Sequence, residues 1–305
     1  MSFLVNEYKF GKYRGLMIVD PVNRHHIDIL PGYGALIARM ELFGLELVMP
    51  IASHGELEGS HYHRNFWLMP FQNRIRDGKY QFKGQTYQLE VNEKARNTSL
   101  HGFVEDMVLK DVSWTVVEDA VTVVTELSYD GGKPGYPFPF QCTFSYEIRE
   151  SGEVILHYQV RNTGDQEMPF TTGWHPYFQL DGDRAYWKIQ SGPLTHHPTD
   201  DDRSLPTGET VKMSDFDFSK PIYDHSMEFD AKPYDISMSS ERYTLNIQQS
   251  DHLRFVHIFT PEPFNSVAIE SVSSGVDAFN TGIGLVEIAP GAQQEGQINL
   301  QLQQK

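Results

Sequence analysis

A single cysteine, Cys142, stands in a chain of 305 residues. One thiol forms no internal disulfide, and the chain has no CxxC pattern for a metal. Cys142 lies between Phe140 and Phe144 in an alternating apolar run, which predicts a buried strand residue rather than a nucleophile. No run of about 18 apolar residues occurs, so no transmembrane helix is expected. Met1 to Lys9 lacks a basic region followed by an apolar stretch, so no signal peptide is expected and a cytoplasmic location is the simplest reading. Cations are also scarce, with 25 Lys and Arg against 41 Asp and Glu and a formal net charge of −16. A surface of that sign repels phosphate backbones and anionic lipid headgroups, so neither nucleic acid nor membrane is an expected partner.

Long helical periodicity is scarce as well. The dominant repeat is two residues. Phe140, Cys142, Phe144, Tyr146 and Ile148 alternate with Gln141, Thr143, Ser145 and Glu147, giving a strand with one apolar and one wet face. Val121 to Leu127, Val154 to Val160, Tyr243 to Ile247 and Ile298 to Leu302 repeat the pattern. Residues 35 to 49 read as two strands broken near Phe43-Gly44, and Glu118-Asp119-Ala120 reads as a turn. Further turn signals recur at Asp130-Gly131-Gly132, Asp181-Gly182-Asp183 and Pro206-Thr207-Gly208. Strands joined by short turns without intervening helices predict an all-β, antiparallel sandwich or barrel. No low-complexity linker interrupts the pattern, so one large domain over residues 1–305 is expected. The acidic stretch from about Thr195 to Asp217 reads as a loop-like surface excursion.

The candidate chemistry lies in histidines, arginines and one carboxylate. His61-Tyr62-His63 has the spacing that places two imidazoles on one strand face. Residues Arg64 to Gln72 offer no carboxylate to complete a metal set, so ordinary polar positions are expected there. Adjacent His196 and His197 point apart if extended and read as a solvated loop. Gly173-Trp174-His175-Pro176-Tyr177-Phe178 is more informative. Pro176 biases His175 toward extended backbone. The flanking aromatics suit either a sugar's CH-rich face or a buried aromatic corner. Leu100-His101-Gly102 reads as a turn. Asn73-Arg74-Ile75-Arg76 places two guanidiniums two residues apart, for a wet strand face or for bidentate bonding to hydroxyls. Val267-Ala268-Ile269-Glu270 ends an apolar run in a carboxylate, which either emerges into water or faces a cleft.

In order along the chain, these pieces resemble the aldose 1-epimerase (galactose mutarotase) family. The similar segments are Asn73-Arg74-Ile75, Gly78 to Tyr87, Leu100-His101-Gly102, Gly173 to Phe178, Ile222-Tyr223-Asp224-His225, Val267 to Glu270, Asp277-Ala278-Phe279-Asn280 and Pro290-Gly291. The resemblance implies a large antiparallel β-sandwich of the galactose mutarotase-like type. It implies a cofactor-free sugar isomerase, with His175 as general acid and Glu270 as general base. Arg74, His101 and Asp224 would bind the hydroxyls of a small sugar substrate, with no metal. The expected protonation is an ionised Glu270 and a protonated His175. Ser266, Ser273-Ser274-Gly275-Val276 and Phe71-Gln72 depart from the family's commoner residues, which loosens the tie to galactose itself. A glycoside hydrolase or lyase, or a non-catalytic sugar-binding module, would use the same fold.

Overall fold

The computed structural model describes residues 3–59, 63–213, 216, 223–262 and 265–305. Among them, one sheet has 13 strands and a second has 8, and every ladder between the strands named below is antiparallel. Helix is confined, among the described residues, to short pieces such as His54–Glu58 and Ala278–Thr281. No helix among them is long and apolar enough to cross a membrane.

The period-two runs become the long strands of the 8-stranded sheet. Ala120–Tyr129, Phe140–Arg149, Glu153–Asn162 and Gln293–Gln304 lie side by side, and Tyr243–Gln249 follows. In Phe140–Arg149 the apolar positions are buried and the alternate ones face outward. Cys142 is buried there, as its setting predicts, and burial pushes its thiol far above the usual range. The break near Phe43-Gly44 is also present, between Leu36–Leu42 and Leu45–Val48, where both turn residues have positive φ. The acidic excursion is only partly a loop. Leu194–His196 and Val211–Met213 pair with each other at the edge of the 13-stranded sheet, because Leu194 has an apolar face to bury. His196 is therefore a half-buried strand residue whose Nε2 lies 2.8 Å from Nδ1 of His225, not a solvated loop histidine.

Apolar side chains from both sheets meet in one large core. A polar tie crosses it. The Trp67 indole N–H donates to the Tyr146 hydroxyl at 2.7 Å, and that hydroxyl donates to the Ala35 carbonyl at 2.6 Å. Trp67 belongs to the larger sheet and Tyr146 to the smaller, and both are fully buried. The single hydroxyl therefore satisfies two groups that no water reaches. Tyr146→Phe should destabilise the fold by about 2–4 kcal/mol, since it leaves a buried donor and a buried acceptor unpaired. Chemical denaturation checks this, and a loss below about 0.5 kcal/mol would contradict the tie.

Candidate active site

Glu270 sits in the middle of Val267–Val272, a strand buried along its whole length. It is not the strand end that the apolar run suggested, because pairing on both sides carries the strand on through Val272. Alternation turns Val267 and Ile269 into the core and Glu270 to the opposite face. There it lines a cavity of about 490 Å³. That volume falls within the roughly 300–1,000 Å³ of small-molecule sites.

On one side of Val267–Val272 the neighbouring strand is interrupted. Gly173–Trp174 pairs with Val272 and Ser271, and Tyr177–Phe178 pairs with Ala268 and Val267. His175 and Pro176 fall in the gap, opposite Ile269 and Glu270. Pro176 has no N–H to give the ladder, so the break is built into the sequence. Asn65 holds the interruption in place. Its backbone N–H donates to the His175 carbonyl at 2.8 Å, and its side-chain oxygen accepts from the Tyr177 N–H at 3.2 Å. The His175 N–H donates to the Phe66 carbonyl at 2.9 Å. The imidazole stacks on Tyr177, with ring centroids 5.1 Å apart. So fixed, His175 Nε2 lies 3.3 Å from Glu270 Oε1.

The remaining walls come from short segments. Arg74 opens the Arg74–Arg76 strand, and Glu93 aligns its guanidinium bidentately, with Nε–Oε2 at 2.8 Å and Nη2–Oε1 at 3.0 Å. Asp277 anchors that strand. Its carboxylate accepts from the Arg76 N–H at 3.0 Å and its own N–H donates to the Arg74 carbonyl at 3.0 Å. The Asp277-Ala278-Phe279-Asn280 segment thus supports the site from behind. His101 takes positive φ, and its Nδ1 accepts the Asn73 N–H at 3.2 Å, which leaves the ring proton on Nε2. Gly102 follows with φ +74°, and a Cβ there would lie 2.1 Å from the Met69 carbonyl oxygen, so the turn that carries His101 requires glycine.

All five residues expected at the site, His175, Glu270, Arg74, His101 and Asp224, line this one cavity. His63, Glu93 and His257 line it as well, and no motif or spacing assigns any of them to the site. His61 and Tyr62 of the HxH segment, Ile222 beside Asp224, and the nearby Asp215 and Asp217 lie outside the described residues. Asp230, the other aspartate near Asp224, binds Lys212 and Thr195 instead of facing the cleft. Among the described residues, no group of three or more His, Cys, Asp and Glu has the arrangement to hold a metal ion.

The cleft is dry at its floor and wet at its mouth. Side-chain exposure rises from 2% at Glu270 and 6% at His175 to 38% at Asp224. Burial pushes the Glu270 carboxyl up to about 7, against the opposing pull of His257. Burial drives His175 well below the usual imidazole range, and the neighbouring His63 and His257 add to the fall. His101 is driven down by the same causes, burial first, and burial takes His63 down to about 4. His257 differs. Burial pulls it down, but the Glu270 charge and the Asp224 hydrogen bond outweigh burial and hold it above the usual value. Asp224, bonded to His257 at 2.6 Å, stays below the usual carboxylate range despite burial. Burial therefore biases the proton of the pair toward Glu270 rather than His175, opposite to the expected order. Among the imidazoles that line the cleft, His257, flanked by two carboxylates, holds a proton most readily.

The chain as a whole has counterparts among known proteins. The family model described as aldose 1-epimerase matches residues 28–301. The chain is 25% identical over 274 residues to the uncharacterized protein YihR of Escherichia coli (strain K12), covering 85% of this chain and 84% of that one. In structure it resembles a galactose mutarotase-like protein from Clostridium acetobutylicum, with a TM-score of 0.87, 16% identity, and 100% and 99% of the two chains covered. It also resembles the galactose 1-epimerase of Lactobacillus acidophilus, with a TM-score of 0.81, 15% identity, and 99% and 98% covered. At these identities the two structural likenesses establish the fold, which is the antiparallel galactose mutarotase-like β-sandwich.

A buried carboxyl that titrates near 7 instead of 4.5 weakens the fold once it ionises. The penalty is absent at low pH and grows as pH rises from about 4.5 to about 7, because only the folded state resists losing the proton. Glu270→Gln should therefore raise the melting temperature at pH 8 by about 2–5 °C, with a smaller gain at pH 5. A lower melting temperature at pH 8 would contradict the buried-charge account.

Proposed function

The chain belongs to the aldose 1-epimerase family, and from that premise we propose that it interconverts the α and β anomers of a free aldose by acid–base opening and closure of the sugar ring. The observation that carries the reading is the His175–Glu270 contact of 3.3 Å on the floor of a cleft walled by Arg74, His101 and Asp224. Ring opening needs a base at the C1 hydroxyl and an acid at the ring oxygen. Glu270 takes the proton from O1, and the C1–O1 bond becomes a carbonyl. The C1–O5 bond breaks, its electron pair goes to O5, and His175 supplies the proton there. Rotation about C1–C2 presents the other carbonyl face. On closure O5 attacks C1, the O5 proton returns to His175, and Glu270–H returns its proton to O1. No electron leaves the sugar, and the protein regains its starting protonation state.

The electrostatics of the site suit such a cycle. One proton lies with His175 before opening and with Glu270 after it. Burial favours the second state, and the cations Arg74 and His257 favour the first. Opposed biases of this kind keep both states accessible, which a reaction run in both directions requires. Arg74, aligned by Glu93, and His101, fixed by Asn73, orient hydroxyls and lower the entropy cost of a productive pose.

The other carboxylates that line the cleft argue against a glycosidase. Glu93 is bound to Arg74 and Arg96, Asp224 to His257, and both are held below the usual carboxylate range. With both carboxylates engaged by cations, neither is free to act as the nucleophile or base that a two-carboxylate hydrolase sets opposite its acid.

Glu270→Gln and His175→Asn should each lower the polarimetric rate by at least about 100-fold. In the parent protein kcat/KM should fall as pH rises above about 7, because the one proton that the His175–Glu270 pair must hold is lost there. Near-normal rates in either variant, or a profile flat across neutral pH, would contradict the roles assigned.

A further inference from the structure

Phe255–Phe259 lies beside Val267–Val272 and reads Phe-Val-His-Ile-Phe, with one polar residue in an otherwise apolar strand. That residue, His257, is the register partner of Glu270. Directly opposed residues of an antiparallel pair share a face, with Cβ atoms about 4.5–5.5 Å apart. On the other flank, in Asp224–Phe229, Asp224 Oδ1 is 2.6 Å from His257 Nε2. One imidazole is thus set between two carboxylates on three successive strands, with only 8% of its side chain exposed. His257 Nδ1 is buried with no hydrogen-bond partner among the described residues, and so is Glu270 Oε2.

We propose that His257 is a positioning residue for the acid–base pair: an imidazolium, anchored by Asp224, whose charge favours the ionised form of Glu270 that accepts the sugar's proton. The proposal rests on the reading of Glu270 as the base. It also gives Asp224 a second task beyond meeting hydroxyls at the cleft mouth, namely holding the proton on His257.

The other charges around Glu270 do not replace it. Arg74 is engaged bidentately by Glu93, and Arg96 shares the same carboxylate at 3.1 Å. Burial holds His63, His101 and His175 below the usual imidazole range. Asp224 acts in the opposite sense and raises Glu270. Among the described residues this leaves His257 as the cation in strand register with the base. The directions of titration agree: Glu270 and Asp224 hold the ring above its usual value, and the ring in turn pulls Glu270 down.

The test is His257→Gln, whose amide still donates to Asp224 but carries no charge. The midpoint of Glu270 is read directly by carbon-13 NMR of protein labelled at the glutamate side-chain carboxyl, with the signal assigned by its loss in Glu270→Gln. An opposite charge at this range shifts a carboxyl by about 1–3 pH units, so the midpoint should rise by at least about one unit. The alkaline limb of kcat/KM should move up with it. His257→Leu, which removes the same charge and leaves Asp224 in place, should move the midpoint the same way and serves if the glutamine variant does not fold. An unmoved midpoint in a folded variant would overturn the proposal. The NMR reading needs no turnover. If the parent protein exchanges no anomers, the proposed function fails while the titration still decides the His257–Glu270 coupling.

Discussion

A carboxylate in a central, fully apolar strand must be met by partners that the sheet itself brings, and here imidazoles meet Glu270 on both sides. His257 faces it through regular strand register. His175 faces it through a break in register, where Pro176 interrupts the neighbouring strand and Asn65 fixes both ends of the gap. One side of the carboxylate is thus served by continuous sheet and the other by the interruption. The first gives a fixed charge, and the second gives a ring that is free of the ladder and can exchange a proton with a bound molecule.

The same burial sets the energetics. An ionised group out of water costs the fold stability, and the cost is greatest where the chemistry needs it. Among the described residues the surrounding polar network limits that cost without removing the reactivity. Glu93 neutralises Arg74, Asp277 anchors the strand beneath it, and Gly102 permits the turn that carries His101. Each of these residues acts on the orientation of another side chain. A rigid frame of this kind spares a sugar the ordering of the site at the moment of reaction.

The long strands were legible in the sequence because half of each faces a core and half faces water. Phe140 to Ile148 and its neighbours therefore carry a clear period of two. The segments that build the site carry no such signal. Trp67–Leu68, Gly173–Trp174 and Tyr177–Phe178 have two residues each, too few to show a period. The five site residues expected from family resemblance do converge on one cleft. Glu93, His63 and Asn65 were not legible, since their partners are set by tertiary approach rather than by spacing. His257 left a faint trace as the polar residue inside Phe-Val-His-Ile-Phe. The bias in protonation was not legible because it depends on burial and on charges from strands far apart in sequence.

The central claim is that this cleft interconverts anomers. The most direct measurement is exchange NMR of the α and β C1–H signals of free aldoses and their 6-phosphates, with and without catalytic amounts of the protein. The account predicts exchange cross-peaks for at least one sugar that appear only with the protein present and scale with its concentration. Sugars that bind, as seen by line broadening or calorimetry, but exchange no faster than in buffer would contradict it.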